Sequence, residues 1–223
     1  GIMLSSAIKK FIDFYGVKTG KEVSLFTNND SAYETAISLK KSGVNIVSII
    51  DIRDKSSSRI IEETEKLNIK IYWKHTVVNT EGYKRIRFIE IMQLSDDGSG
   101  VIGKKIKLKS DCLGISGGWT PMVHLFTQSG GKLKFRSDDN VFLPDKNKTP
   151  SGQISIGACN GDFDIKDIIL NSNKQVKIFL GIENSSFDNL KVESSKEKSK
   201  RNIWLLPSDK PIGKTKPFLD FQN

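Results

Sequence analysis

The sequence predicts an α/β fold: a Rossmann-like parallel sheet covered by helices, with an antiparallel β-meander attached. Three observations lead there. Buried-type strands and amphipathic helices alternate from residue 22 to residue 73 in the order β-α-β-α-β, which sets successive strands parallel. After His75 the pattern changes to alternating extended segments joined by Glu81-Gly82 and by Asp96-Asp97-Gly98-Ser99-Gly100, which are turn signals of a meander. A short apolar strand at 111–116 then closes on Gly117-Gly118-Trp119-Thr120-Pro121.

Each element has a local reason. Ala7, Ile8, Phe11, Ile12 and Tyr15 form a helical stripe over 5–15, with Ser5 or Ser6 as N-cap and Gly16 as stop. Residues 22–27 read as a buried strand, 28–30 as a tight turn, 31–42 as a helix stopped by Gly43, and 44–50 as a strand ending at Asp51. This is the layout of a dinucleotide-binding unit with an acid at the second strand tip, yet the three glycine positions of G-x-G-x-x-G fall on Thr27, Asn29 and Ala32. A polar linker, 54–58, leads to a helix over 59–67, with Ile60, Ile61, Thr64 and Leu67 on one side and Asn68 as its end. A third strand follows at 69–73, and the meander strands are expected at 76–80, 83–94 and 104–109. The loop 137–152 carries an extended piece at 141–143, a last strand is expected at 153–157, and a helix at 163–180. Beyond Gly181 periodicity is lost until 202–206, and the sequence closes at 218–223.

Bulk properties narrow the function classes. The 223 residues suffice for one large or two small domains, and a 37% hydrophobic content fits a globular protein. No apolar run approaches the roughly 20 residues of a membrane helix, and no signal-peptide pattern opens the sequence. Cys112 and Cys159 lack metal or C-x-x-C spacing and read as core thiols in a cytoplasmic protein. The net charge of +9 is spread among acids. The densest lysine run, 191–201, has the composition of a solvated linker, and the alternating lysines of 104–109 read as the wet face of a strand. Without aromatic residues interleaved among the basic ones, no nucleic-acid partner is expected.

The candidate sites are turns. Asn28, Asn29 and Asp30 crowd the space where a glycine backbone would approach a pyrophosphate, and Asp30 adds repulsion. Asp30 or Ser31 serves as N-cap. Asp51 either holds a ribose hydroxyl or is a solvated strand end. His124 in its apolar context reads as a core or interface histidine, and neither it nor His75 has acids or cysteines at metal spacing. The turn Gly157-Ala158-Cys159-Asn160-Gly161 follows a strand and opens a helix; it offers backbone N–H groups to a cofactor or is an ordinary strand-to-helix turn.

Several stretches together resemble the alpha subunit of heterotetrameric sarcosine oxidase, a two-dinucleotide-domain flavoprotein. They are Gly1-Ile-Met-Leu-Ser-Ser-Ala7, Thr27-Asn-Asn-Asp-Ser-Ala-Tyr33, Asp111-Cys112, Ser116-Gly-Gly-Trp-Thr-Pro121, Val123-His-Leu-Phe126 with Gln128-Ser-Gly-Gly-Lys-Leu133, and Phe218-Leu-Asp-Phe-Gln-Asn223. The resemblance implies that residues 1–103 are the family's glycine-poor NAD(P)-type domain with its meander, and that 104–182 return into a first, NAD/FAD-type nucleotide-binding domain only partly present here. Residues 183–223 would then be a linker toward an aminomethyltransferase-like folate domain. It implies an interior piece of a parent that converts sarcosine to glycine, passes a one-carbon unit to tetrahydrofolate and forms hydrogen peroxide. The assembled enzyme carries NAD, FAD and FMN and has beta, gamma and delta subunits, with oxidation at a flavin of the beta subunit. This segment would then supply scaffold and interface and no catalytic residue. Where the family has Gly-Asp, this sequence has Gly157-Ala158, so any contribution to NAD comes from the backbone of Gly157, Ala158 and Cys159, with Gly117 and Gly118 packing nearby. The alternatives are another oxidoreductase fragment binding a dinucleotide at 27–51, and a non-catalytic nucleotide-fold binding module.

Overall fold

The computed structural model describes residues 1–182 and 205–211. The lysine run 191–201, the closing residues 218–223 and most of the extended piece at 202–206 lie outside the described residues, as does the expected linker 183–223 except for 205–211. Two compact units divide the chain, one formed by residues 1–118 with 198–223 and the other by 119–197.

The first unit opens with β1 (Ile2–Leu4) and α1 (Ser5–Tyr15), then β2 (Glu22–Thr27), α2 (Ser31–Lys41), β3 (Asn45–Asp51), α3 (Arg59–Lys66) and β4 (Ile71–Trp73). The meander follows as β5 (His75–Gly82), β6 (Ile86–Leu94) and β7 (Val101–Lys109), and β8 (Cys112–Ser116) returns to the sheet. The parallel sheet has the order β1-β8-β2-β3-β4. One face buries Ile8, Ile12, Ala32, Tyr33, Ala36, Leu39 and Ile61 of the three helices against Val23, Leu25, Ile46 and Ile49. The other buries Ile89, Ile91 and Leu94 of the meander against Phe26, Ile50 and Leu113. Strands covered on both faces must be apolar on both, which is why β2 and β3 read as continuous hydrophobic runs.

β8 lies between β1 and β2, so the first unit extends past residue 103 to Gly118, and a boundary at 103 falls inside β7. The strand joins this sheet because Asp111 ties down its entry: the carboxylate accepts the N–H of Lys21 (3.0 Å) and of Glu22 (2.9 Å). β1 was not expected, since three residues show no periodicity; its register on β8 runs Ile2↔Leu113 to Leu4↔Ile115. The start of α1 also differs from expectation. Its N-cap position is Leu4, without a side-chain cap, because the buried Ser5 hydroxyl donates instead to Thr35 Oγ1 of α2 at 3.0 Å. Gly16 ends α1 in the left-handed region at φ 64°, as its position implied.

Three lysines of β7 are matched by acids: Lys105 with Glu90 and Asp209, Lys107 with Glu81, Lys109 with Glu22. Among the described residues no helix is long and apolar enough to cross a membrane.

The second unit holds α4 (His124–Gln128), a hairpin of β9 (Leu133–Arg136) and β10 (Val141–Pro144), and α5 (Ile165–Leu180). His124 is exposed rather than a core residue, because the short α4 turns Phe126 inward in its place. The strand expected at 153–157 does not form. Residues 153–156 join no sheet among the described residues, and a strand without a partner leaves its backbone groups unpaired. Gly157–Asn160 instead make a 3₁₀ turn. Asp164 caps α5 by accepting the N–H of Lys166 at 3.0 Å. Cys112 is a buried free thiol, and Cys159 is free but only half-buried.

Gly114 in the middle of β8 lets α1 lie close on the sheet. A Cβ there would stand 2.6 Å from Leu25 Cδ2 and 2.7 Å from Ile8 Cδ1. Gly114→Ala is expected to lower the unfolding free energy by about 1–3 kcal/mol through overpacking, read from the urea midpoint at unchanged m-value.

Candidate functional site

Open parallel sheets bind ligands beyond the carboxyl ends of their strands, where neighbouring strands send their connections to opposite faces. Here β2 and β8 pair in parallel, so their carboxyl ends lie side by side. The loops meeting there are 27–31 and 116–118.

Side chains fill this crevice. The Thr27 hydroxyl donates to the Asn29 carbonyl (2.8 Å) and accepts the Asn29 N–H (3.1 Å), folding the turn upon itself. Asn29 is only 6% exposed. Its Oδ1 accepts from the N–H of Ser31 (3.0 Å), the Ser31 hydroxyl (2.5 Å) and the Ser116 hydroxyl (3.2 Å). Its Nδ2 donates to Asn28 Oδ1 (2.7 Å) and the Ser116 carbonyl (3.2 Å). The Asn28 N–H donates to the same carbonyl (3.3 Å), and Asn28 Nδ2 to the Gly117 carbonyl (2.9 Å). The turn after β2 is thus stitched to the end of β8.

One consequence is electrostatic. The first N–H of α2, which in an open site faces an anion, donates to Asn29 instead. The side chain that caps α2 therefore comes from Asn29, not from Asp30 or Ser31. Asp30 occupies the N-cap position without a side-chain cap bond, because its carboxylate pairs with Arg53 at 2.9 Å.

Asp51 ends β3 and is fully buried, which corrects its reading as a solvated strand end. Arg53, in the bend two residues beyond the strand, folds back over it. Its backbone N–H (2.9 Å) and Nε (3.0 Å) donate to Oδ1, and Nη2 (2.8 Å) donates to Oδ2. Oδ2 also accepts from the Tyr33 hydroxyl at 2.7 Å, so both oxygens that would receive a ribose are engaged. The guanidinium carbon lies 6.0 Å from the centre of the Tyr33 ring, which stacks at 25° on Trp73. Burial raises the Tyr33 pKa far above the ordinary tyrosine value, and the Asp51 charge adds to it. Burial pushes the Arg53 pKa down, but the hydrogen bonds and charges of Asp51 and Asp30 outweigh it and the guanidinium is held protonated.

The expected site residues therefore separate. Asn29 meets the 116–118 loop, where Asn28 engages Gly117; Gly118 follows at φ 125°. Asp51 is bound into the Arg53–Asp30 pair. Gly157, Ala158 and Cys159 lie in the second unit's 3₁₀ turn, where Gly157 has φ 71°, the Gly161 N–H donates to the Ala158 carbonyl, and the Cys159 thiol donates to the Ile156 carbonyl at 3.0 Å. Arg53, Tyr33 and Ser116 were missed. Arg53 had a readable signal in its spacing of two from the strand-tip acid, whereas Ser116 gave none, because its contact partners lie 85 or more residues away.

Asp51→Asn is expected to cost about 3–5 kcal/mol, since it leaves Arg53 buried without its principal counter-charge; urea unfolding at neutral pH measures it. Tyr33 gives a pH signature. Its folded pKa is raised, so its stabilising share is complete below the unfolded value of about 10 and declines as pH rises past it. Tyr33→Phe is expected to lose about 1 kcal/mol at pH 7 and to show a shallower loss of stability above pH 10 than the parent.

No protein-family model matches the sequence. The sarcosine oxidase alpha subunit of Corynebacterium sp. (strain P-1) is 31% identical over 166 residues, covering 74% of this chain and 16% of the relative. That of Rhizobium meliloti (strain 1021) is 27% identical over the whole chain and 21% of its own length. The chain thus spans about a sixth to a fifth of these relatives. Among solved structures, thioredoxin reductase of T. acidophilum matches 81% of this chain and 56% of its own with TM-score 0.55 and 17% identity, a likeness of fold. By sequence the chain is a relative of the sarcosine oxidase alpha subunits, and its fold is like that of the T. acidophilum thioredoxin reductase.

Proposed function

We propose that this chain is the nucleotide-domain scaffold of a sarcosine oxidase-like alpha subunit and that its first unit holds no dinucleotide. The observation that carries the second part is the closure of the crevice by Asn29, Ser31 and Ser116. A pyrophosphate needs the first N–H of α2, which Asn29 already takes from Ser31, and a ribose needs the Asp51 oxygens that Tyr33 and Arg53 already take. The parent enzyme would oxidise sarcosine to glycine with one-carbon transfer to tetrahydrofolate and hydrogen peroxide formation. Its NAD would lie in a neighbouring nucleotide domain, FAD and FMN would serve the assembled beta, gamma and delta subunits, and the segment alone would be inactive. The two free thiols accord with a cytoplasmic setting.

The second unit fits the role of a piece that packs on further nucleotide-fold structure. None of α5 is buried, and Ile165, Ile178 and Leu180 are each more than half exposed. There the backbone of Gly157, Ala158 and Cys159 is the part proposed to approach NAD.

Titration of the chain with NADH, followed by tryptophan fluorescence, is expected to show no saturation below millimolar concentration. Saturable micromolar binding that disappears in Asn29→Ala or Asp51→Asn would instead favour a dinucleotide site at residues 27–51.

A further inference from the structure

At the amino end of the sheet, opposite the closed crevice, the first unit carries an open cleft of about 480 Å³ lined by Glu22, Arg85, Ile86, Arg87, Phe88, Lys109 and Asp111. We propose that this cleft binds a small organic carboxylate, with the anion held by Arg85 and Arg87 and its apolar body resting on Ile86 and Phe88.

Charge pairing carries the argument. Glu22 is bound by Lys109 at 3.0 Å, and the Asp111 carboxylate is taken by the N–H groups of Lys21 and Glu22. Lys105 and Lys107 of β7 are likewise matched with acids. Arg85 and Arg87 differ: among the described residues neither guanidinium has an ion-pair or hydrogen-bond partner. Arg85, in the bend that precedes β6, and Arg87, on β6 itself, line the same cleft, where two unpaired guanidinium groups repel and a single anion relieves both. The planar guanidinium fork suits a carboxylate or a phosphate equally. The floor decides between them. Ile86 is half-buried against the meander core and the Phe88 ring lies 4.5 Å under Lys107 Nζ, so Phe88 is held in place and presents apolar surface that a bare inorganic anion leaves uncovered. The volume matches a small molecule.

The test is a ¹⁵N NMR titration of the full chain with benzoate, neutral benzamide and inorganic phosphate. Benzoate is expected to give saturating shifts confined to residues 85–88 and 109–111, phosphate to bind more weakly, and benzamide to leave them unmoved. Arg85→Gln with Arg87→Gln is expected to weaken benzoate about tenfold or more, whereas Lys104→Gln, outside the cleft, leaves it unchanged. Should the glutamine pair fold poorly, Arg85→Lys with Arg87→Lys keeps the charge, loses the forks, and is expected to weaken benzoate several-fold. Benzoate binding that survives these arginine variants, shifts spread evenly over the surface lysines, or phosphate binding as tightly as benzoate would each overturn the proposal.

Discussion

A buried carboxylate at the tip of β3 sets the conditions for the whole carboxyl end of the sheet. Asp51 has no access to water, so its charge must be met inside the protein, and Arg53 and Tyr33 meet it. Arg53 is long enough to reach Asp30 as well, which draws that side chain away from the start of α2. Asn29 then takes over the capping of α2 and reaches Ser116 on β8. Closure of the crevice is thus tied to the charge balance next to it through the turn at 28–30.

The architecture supports this arrangement from below. Gly114 lets α1 lie close, Asp111 fixes where β8 enters, and the meander seals the face opposite the helices. With both faces covered, the sheet itself is open only at its carboxyl and amino ends and along its flanks. The two ends carry opposite chemistry. At the carboxyl end polar groups are paired with one another, and at the amino end Arg85 and Arg87 stand unpaired. Open parallel sheets bind ligands beyond the carboxyl ends of their strands, and here Asn28, Asn29, Ser31 and Ser116 bond to one another in that place.

Most of the sheet was legible because burial on two faces forces continuous apolar runs in β2 and β3, and because Gly16 and Asn68 end helices for local steric reasons. The meander was legible through its turns and alternation. The short β1 and the hairpin strand β9 were not, since three or four residues cannot display a period. The strand expected at 153–157 shows the converse: its composition suits a strand, but strand formation needs a partner, which is a property of the fold. At the site, the absence of glycines at 27, 29 and 32 was plain from the sequence and pointed correctly to crowding by side chains. Which side chain caps the helix was not, since Asp30 is as good a cap as Asn29 until Arg53 is placed beside it.

The sequence by itself determined the alternation of strands and helices, the missing glycines, the acid at the strand tip and the kinship with sarcosine oxidase alpha subunits. Those are matters of period, residue type and local order. Only the tertiary structure decided that Asp51 is buried, that Arg53 folds back on it, and that Ser116 joins Asn29 across the crevice. The reason is physical. A charge or hydroxyl takes its role from the dielectric and the partners around it: Asp51 meets Tyr33 only because α2 packs over β3, and Ser116 meets residues 85 or more positions away only because β8 pairs with β2.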